Sequence, residues 1–215
     1  MELEQILQYV SLGIIVLCVL GVLLVATLGK KKTQSRELVF AACCIAMSFV
    51  LSFIKAKVGA EGGSVTLASF VPLIIYAYVF GVRKGLLAGT IYGLLQIIEG
   101  GPYFVSVVQL ICDYLLAFTA VGLAPVFKKL SGNKKWGIYA GTALAVFTRF
   151  VMHTVAGMYF YPELGFGEAL ITSVLYNGAY MLPELAITLA VMAILVQSGK
   201  FGYFTRFIKG ESEAE

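Results

Sequence analysis

The chain has 215 residues, of which 60% are hydrophobic and 13% are charged. Soluble domains usually carry about a quarter charged residues, so this composition excludes an ordinary soluble domain and predicts a protein embedded in the lipid bilayer. The net charge of +4 comes from basic residues between the apolar segments, and it gives no reason to expect nucleic acid as a partner.

Seven apolar segments are long enough to be transmembrane helices, which need about 20 predominantly apolar residues. The first follows Glu2 and Glu4 and precedes three lysines. A signal peptide has its positive charge before a shorter apolar core, so we expect a retained helix here. The predicted spans are residues 6–28, 37–54, 65–81, 85–99, 104–127, 137–160 and 168–197.

Three regions follow from these spans. Residues 1–35 are predicted to be an N-terminal transmembrane anchor helix with a basic linker, 36–205 a six-helix membrane core, and 206–215 a charged cytoplasmic tail. The predicted fold class is therefore an all-α polytopic membrane protein. The short connections leave no room for a soluble catalytic domain.

Basic residues concentrate in alternate connections, whereas the other connections hold only Lys55 and Lys57. Basic loops are usually cytoplasmic, so we expect the N-terminus outside and the C-terminus inside a bacterial plasma membrane. The residues behind this prediction are Lys30, Lys31, Lys32, Arg36, Arg83, Lys84, Lys128, Lys129, Lys134, Lys135, Lys200, Arg206 and Lys209.

Small residues recur every four positions in two predicted helices, which lets helix backbones approach closely in lipid. Ala42 and Ala46 share one face, and Gly85, Gly89 and Gly93 share another. Each face could pack within the chain or dock another subunit.

The four cysteines all lie in apolar segments without metal-site spacing. We expect them to be small buried hydrophobic residues, and we predict no metal or cofactor.

Asp113, His153 and Asn177 lie inside three different apolar segments. A charged residue at the centre of a transmembrane helix costs at least ~2.5–3.5 kcal/mol, so such residues usually face a partner, a cavity or a ligand. Counted from the predicted outer helix ends, all three lie roughly 10–14 Å deep. We therefore expect a pocket that opens to the exterior.

Each of these residues has polar neighbours at three- and four-residue steps, as on one helix face. Other interpretations remain open. Arg149 and Asp113 could form a structural ion pair, His153 could be a hydrogen-bonded core residue, and Asn177 could join two helices. Glu184 could be pocket floor, ion-pair partner or subunit contact. The polar faces contain Tyr103, Ser106, Gln109 and Asp113; Arg149 and His153; and Ser173, Asn177, Tyr180 and Glu184.

These side chains indicate the kind of ligand. A carboxylate can neutralise a cation or accept hydrogen bonds from an amino group, and tyrosines can stack on a flat ring. Amide side chains donate and accept together. The residues alone predict a small, planar solute that is cationic or carries an amino group.

Three motifs then carry a resemblance to a known family. Tyr103…Ser106…Gln109…Asp113-Tyr114, Arg149-x-x-x-His153-x-x-Ala156-Gly157 and Tyr176-Asn177-Gly178 occur in this order. Together they resemble the thiamine-specific substrate-binding (S) subunit of energy-coupling factor (ECF) vitamin importers, a group also described as proton-coupled thiamine transporters. The resemblance covers residues 36–205 and implies a six-helix core, to which this chain adds an N-terminal helix.

The resemblance also implies roles for individual residues. Asp113 would contact the aminopyrimidine–thiazolium system of thiamine, and Tyr114 the hydroxyethyl end. His153 and Asn177 would hold the pyrimidine, with Arg149 supporting the site. Tyr161 occupies the position at which the family has an aromatic residue that stacks on the ligand. The full predicted ligand-binding set is Asp113, Tyr114, His153, Asn177, Arg149, Tyr103, Gln109, Tyr161 and Tyr176.

The same resemblance implies partners. The face of Ala42 and Ala46 looks like the motif that docks on a membrane coupling subunit, and two ATP-binding subunits would complete the transporter. The chain itself is then not an enzyme. Its expected function is high-affinity capture of thiamine outside the cell and delivery inward.

The chain departs from the family pattern at four places. Asp113 and Arg149 stand where members often have Glu and Lys, Thr172 replaces a Tyr, and residues 56–68 lack an expected Trp. These differences permit a related ligand such as a hydroxymethylpyrimidine.

Two other functions are weighed against a vitamin-binding subunit. The chain could be a self-standing proton-coupled carrier, in which Asp113, His153 and Glu184 form a titrating relay. An intramembrane enzyme or haem protein is disfavoured, because the sequence has one histidine and no local signature of an activated nucleophile.

Overall fold

The computed structural model describes residues 33–58, 63–100, 107–161 and 163–210, together with Gly13 and Leu20. Apart from those two residues, the predicted first span at 6–28 lies outside the described residues. So do Tyr103 and Ser106.

The described chain is mainly helical, with one small hairpin. Three of its helices, α1, α5 and α6, are long and apolar enough to cross a membrane by length and composition, while α2 and α4 are shorter apolar helices. The elements are α1 Ser35–Ser52, β1 Lys55–Lys57, β2 Ser64–Thr66, α2 Val71–Phe80, α3 Val82–Gly100, α4 Val107–Leu123, α5 Trp136–Phe160, α6 Phe166–Gln197 and α7 Lys200–Lys209.

The prediction of one helix over residues 65–81 is wrong at its beginning. Ser64–Thr66 is a strand that pairs antiparallel with Lys55–Lys57, with Ala56 opposite Val65. The helix begins only at Val71, with Pro72 in its first turn. Proline is accepted there because the first amides of a helix have no intrahelical acceptor, and its ring favours the helical φ.

The helix α4 is irregular where its most polar residue lies. Its first turn is α-helical, residues Ile111–Leu116 are π-helical and contain Asp113, and Ala120–Leu123 is a 3₁₀ turn. A π-helical turn adds a residue to the helix and re-aims the side chains after it, and such turns are frequent at functional sites.

The glycine face of α3 packs within the chain, as one of the two interpretations predicted. A Cβ added at Gly89 would lie 2.5 Å from the carbonyl oxygen of Phe118, and one at Gly93 would lie 2.3 Å from that of Tyr114. These glycines allow α3 and α4 to touch through their backbones. By contrast, Ala42 and Ala46 are exposed on α1.

Two described cysteines fit the prediction of buried residues, and one does not. Cys44 and Cys112 are buried, but Cys43 is exposed on α1 because it points away from the bundle. All three are free thiols.

The predicted boundary between core and tail at residue 205 falls inside α7. Arg36 donates hydrogen bonds from Nε to the carbonyl oxygen of Ile208, at 2.9 Å, and from Nη2 to that of Phe207. Residues 206–209 thus belong to a helix whose last turn contacts α1 through Arg36.

The close contact between α3 and α4 yields a stability prediction. Gly93→Ala forces a Cβ against backbone, and overpacking of this kind costs about 1–3 kcal/mol. We expect thermal unfolding of the purified protein to occur several degrees lower. Gly178→Ala is the matched control, because no described atom lies within 4 Å of the added Cβ. Equal unfolding temperatures for both variants and the parent would contradict this packing argument.

Candidate ligand-binding site

A cavity of about 470 Å³ lies between α3, α4, α5 and α6 and is covered by the β1–β2 hairpin. Its volume falls within the usual range for small-molecule sites. Eight of the nine predicted ligand-binding residues line it, and the ninth, Tyr103, lies outside the described residues. The eight are Gln109, Asp113, Tyr114, Arg149, His153, Tyr161, Tyr176 and Asn177.

Asp113 and His153 meet across α4 and α5. The Asp113 Oδ1 lies 2.8 Å from the His153 Nδ1. The ionised carboxylate can only accept, so Nδ1 carries the proton and a neutral ring has its free lone pair on Nε2. Nε2 is buried without a hydrogen-bond partner among the residues that the structure describes. His153, which lines the cavity, therefore has a buried nitrogen that makes no hydrogen bond to the described residues.

Arg149 pairs with Glu184 and not with Asp113, so the interpretation of Arg149 and Asp113 as an ion pair, one of those left open, does not hold. The Nη1–Oε2 distance is 3.0 Å, and the two side chains are 8% and 1% exposed. The guanidinium lies over the rings of Phe70 and Phe118, 4.5 and 4.8 Å from their centroids. These contacts hold Arg149 away from Asp113. Of the three roles considered for Glu184, the structure shows the ion pair.

Glu184 also connects the hairpin to the helix bundle through a hydrogen bond. Its Oε1 accepts a hydrogen bond from the Thr66 hydroxyl, which is also bonded to the Ser69 hydroxyl at 2.7 Å. One buried carboxylate therefore contacts both a cation of the cavity wall and the strand that covers the cavity. The prediction of a helix over residues 65–81 places Thr66 inside that helix and therefore gives no signal for this contact.

The side-chain amide of Asn177 makes most of its hydrogen bonds within the protein. Its Nδ2 donates to the Ser173 carbonyl at 2.9 Å and lies 3.3 Å from that of His153, while Oδ1 accepts a hydrogen bond from the Tyr180 hydroxyl. The bond to His153 joins α6 to α5, in agreement with the helix-joining interpretation. Oδ1 has a second lone pair beyond the one that accepts from Tyr180.

Two further contacts hold the hairpin over the cavity. Lys55 pairs with Glu99 at the end of α3, and the Gly63 amide donates to the Tyr176 hydroxyl at 2.7 Å. Both Lys55 and Glu99 line the cavity, and sequence reasoning did not include them. One signal was available in the sequence: Lys55 is a basic residue in one of the connections that otherwise hold almost none.

With a neutral His153 imidazole, the cavity has one unbalanced negative charge, at Asp113. Lys55 and Arg149 are each paired with a glutamate, whereas the partner of Asp113 is a histidine, which is charged only when it is protonated. Tyr114, Tyr161 and other aromatic side chains supply flat apolar surface around that charge. Such a site suits a small, planar cation. Among the described residues, no cluster of three or more His, Cys, Asp or Glu could hold a metal ion.

This fold and cavity define a helical membrane protein with a cavity of the size that holds a small solute. The family model for the thiamine transporter protein (Thia_YuaJ) matches residues 38–201, so the chain belongs to this family. The family resemblance seen in the sequence is thereby confirmed, and the chain is a membrane protein of a thiamine-transporter family.

Individual relatives agree with this assignment. The chain is 31% identical over 146 residues to the thiamine transporter ThiT of Bacillus subtilis (strain 168), covering 63% of this chain and 76% of the relative. It is 26% identical over 166 residues to ThiT of Lacticaseibacillus paracasei, covering 70% and 82%. The solved structure of ThiT from Listeria monocytogenes superimposes with a TM-score of 0.65 at 26% identity, covering 76% of this chain and 94% of that one.

The buried Arg149–Glu184 pair yields a second prediction. Glu184→Gln leaves a buried cation without its counter-charge, which typically costs about 3–5 kcal/mol, whereas replacing both partners with apolar residues is often nearly neutral. We expect thermal unfolding of Glu184→Gln at a clearly lower temperature than that of the double variant Arg149→Met/Glu184→Leu. Unfolding of the double variant at a lower temperature than Glu184→Gln would contradict this expectation.

Proposed function

We propose that this protein is the high-affinity thiamine-binding subunit of an ATP-driven ECF vitamin importer, in a bacterial plasma membrane. The observation that carries the proposal is the cavity whose surplus negative charge lies at Asp113, in a chain of the thiamine-transporter family. Thiamine has a permanently cationic thiazolium ring and an aminopyrimidine, so it matches both the charge and the flat shape of such a site.

The proposed contacts follow from the chemistry of the cavity wall. Asp113 balances the thiazolium charge, with Tyr114 at the hydroxyethyl end. His153 and Asn177 hold the pyrimidine, whose amino group can donate hydrogen bonds to imidazole and amide acceptors. Tyr161 stacks on a ring.

Four further residues complete the proposed site. Gln109 and Tyr176 add polar contacts from α4 and α6, Tyr103 joins them from the segment before α4, and Arg149 supports the wall through its pair with Glu184.

The proposed topology has six core helices and one additional N-terminal helix, with the N-terminus outside. The cavity and hairpin lie at one end of the bundle, and the basic residues around Arg36, Lys84 and Lys128 lie at the other. If the basic end is cytoplasmic, the cavity opens outward. Thiamine would then enter from outside and leave after coupling to ATP hydrolysis on partner subunits.

The proposed docking surface for the membrane coupling subunit is the face of α1 that carries Ala42 and Ala46. Both residues are exposed, and so are the neighbouring Val39, Met47 and Val50. An exposed apolar face with small residues at four-residue spacing allows another helix to approach closely in lipid. Two ATP-binding subunits complete the proposed complex.

A self-standing proton-coupled carrier is the second candidate, because the Asp113–His153 pair could bind and release a proton. The position of Glu184 disfavours the relay: it is held by Arg149 and Thr66. The proton-coupled mechanism would also need a path to the opposite end of the bundle.

Calorimetric titration of the purified chain with thiamine tests the proposed site. Asp113→Asn removes the balancing charge, and a charge-assisted interaction is worth about 1.5–3 kcal/mol, so we expect binding to weaken about 10- to 150-fold. Glu168→Gln makes the same chemical change at an exposed position of α6 and should leave affinity unchanged. Equal affinity of Asp113→Asn and the parent would contradict the assignment of Asp113.

Uptake into vesicles separates the two candidate mechanisms. We expect vesicles with this chain alone to accumulate no thiamine, and uptake to require ATP and added coupling and ATP-binding subunits. The Ala42→Phe/Ala46→Phe variant should bind thiamine normally and abolish uptake, whereas Leu182→Phe, at an exposed position of α6, should do neither. Uptake by the chain alone that collapses with the proton gradient would establish the carrier instead.

A further inference from the structure

The end of the bundle opposite the cavity presents a continuous surface formed by α7 and the connection between α4 and α5. The Lys128 Nζ donates to the Tyr78 carbonyl oxygen at 2.7 Å, and the Tyr78 ring contacts the Phe201 ring at 5.4 Å. The two segments are therefore fixed side by side. We call this surface the α7 patch; its members are the half-buried Lys128 and the exposed Tyr203, Phe204, Arg206, Phe207 and Lys209.

The three aromatic residues of the α7 patch are exposed, although α7 also has a packed side. Tyr203, Phe204 and Phe207 are 49%, 39% and 55% exposed, while Ile208 on the other side of α7 is 6% exposed. The rings of Tyr203 and Phe207 stack with centroids 6.3 Å apart. Three exposed rings on one short helix form an apolar surface that water would not favour.

Basic residues lie on the same two segments as these rings. Lys128 is half-buried with its ammonium 4.7 Å from the centroid of the Tyr78 ring. Burial lowers the pKa of Lys128, and the charge of nearby Lys209 lowers it further. An anion beside Lys128 would balance its charge.

We propose that the α7 patch binds the headgroup of an anionic phospholipid. Lys128, Arg206 and Lys209 would contact the phosphate and the negative headgroup, and the exposed rings would lie at the level of the glycerol and upper acyl chains. Aromatic side chains concentrate at membrane interfaces, and amphipathic helices with basic residues bind anionic lipid surfaces. The proposal does not depend on the identity of the solute in the cavity.

The single tryptophan of the chain provides a local probe. Trp136 is 46% exposed, and its ring lies 6.3 Å from that of Phe127, next to Lys128. The full-length protein is reconstituted in phosphatidylcholine vesicles that contain increasing fractions of brominated phosphatidylglycerol or brominated phosphatidylcholine. Bromine quenches tryptophan at short range, so the mole fraction at half-quenching measures the preference between the two lipids.

We expect brominated phosphatidylglycerol to quench Trp136 at a several-fold lower mole fraction than brominated phosphatidylcholine. Each basic residue near an anionic membrane contributes roughly fivefold, so Arg206→Gln/Lys209→Gln should remove most of the preference. Lys128→Gln alone should reduce it. Lys55→Gln/Lys57→Gln makes the same charge change at the opposite end and should retain it. Free inorganic phosphate at millimolar concentration should not displace the lipid.

Three results would overturn the proposal: equal quenching by the two lipids in the parent, a retained preference in Arg206→Gln/Lys209→Gln, or equal loss in the Lys55/Lys57 control. Displacement by inorganic phosphate would assign the patch to a soluble anion instead. Circular dichroism and gel filtration of each variant separate loss of binding from loss of folding.

Discussion

The cost of placing charged groups in lipid determines how this protein is built. A charge within a transmembrane helix is tolerated only when it has a partner or an aqueous or ligand-filled space beside it. Here Arg149 is paired with Glu184 and Asp113 with His153, and these two contacts connect α4, α5 and α6 around one cavity. The same requirement that joins the helices therefore also leaves a polar chamber between them.

The two pairs differ in what they leave unsatisfied. Arg149 and Glu184 neutralise each other, and Phe70 and Phe118 enclose the guanidinium. Asp113 has only an imidazole, so a cation entering the cavity completes the charge balance that the protein lacks. Because Glu184 also accepts a hydrogen bond from Thr66 of the hairpin, the cavity wall at Arg149 and the hairpin that covers the cavity share one carboxylate. A substitution of Arg149 or of Thr66 is therefore expected to disturb the other residue through Glu184.

Much of the site could be predicted from the sequence because polar residues in apolar helices are rare and follow helical spacing. Asp113, His153 and Asn177 each stand out in this way. The hairpin could not be predicted, since three-residue strands have no hydrophobic pattern, and Ser64–Thr66 merges with the apolar run that follows. Nor could the partner of Arg149 be chosen, because Asp113 and Glu184 lie on different helices and only their packing decides which carboxylate is near.

The central claim is that thiamine occupies the cavity with its cationic ring beside Asp113. The most direct test is a crystal structure of the purified protein with thiamine bound. We expect ligand density between α4, α5 and α6, with the thiazolium ring adjacent to the Asp113 carboxylate and the pyrimidine near His153 and Asn177. Thiamine bound elsewhere, or bound in this cavity with its thiazolium ring away from Asp113, would contradict it.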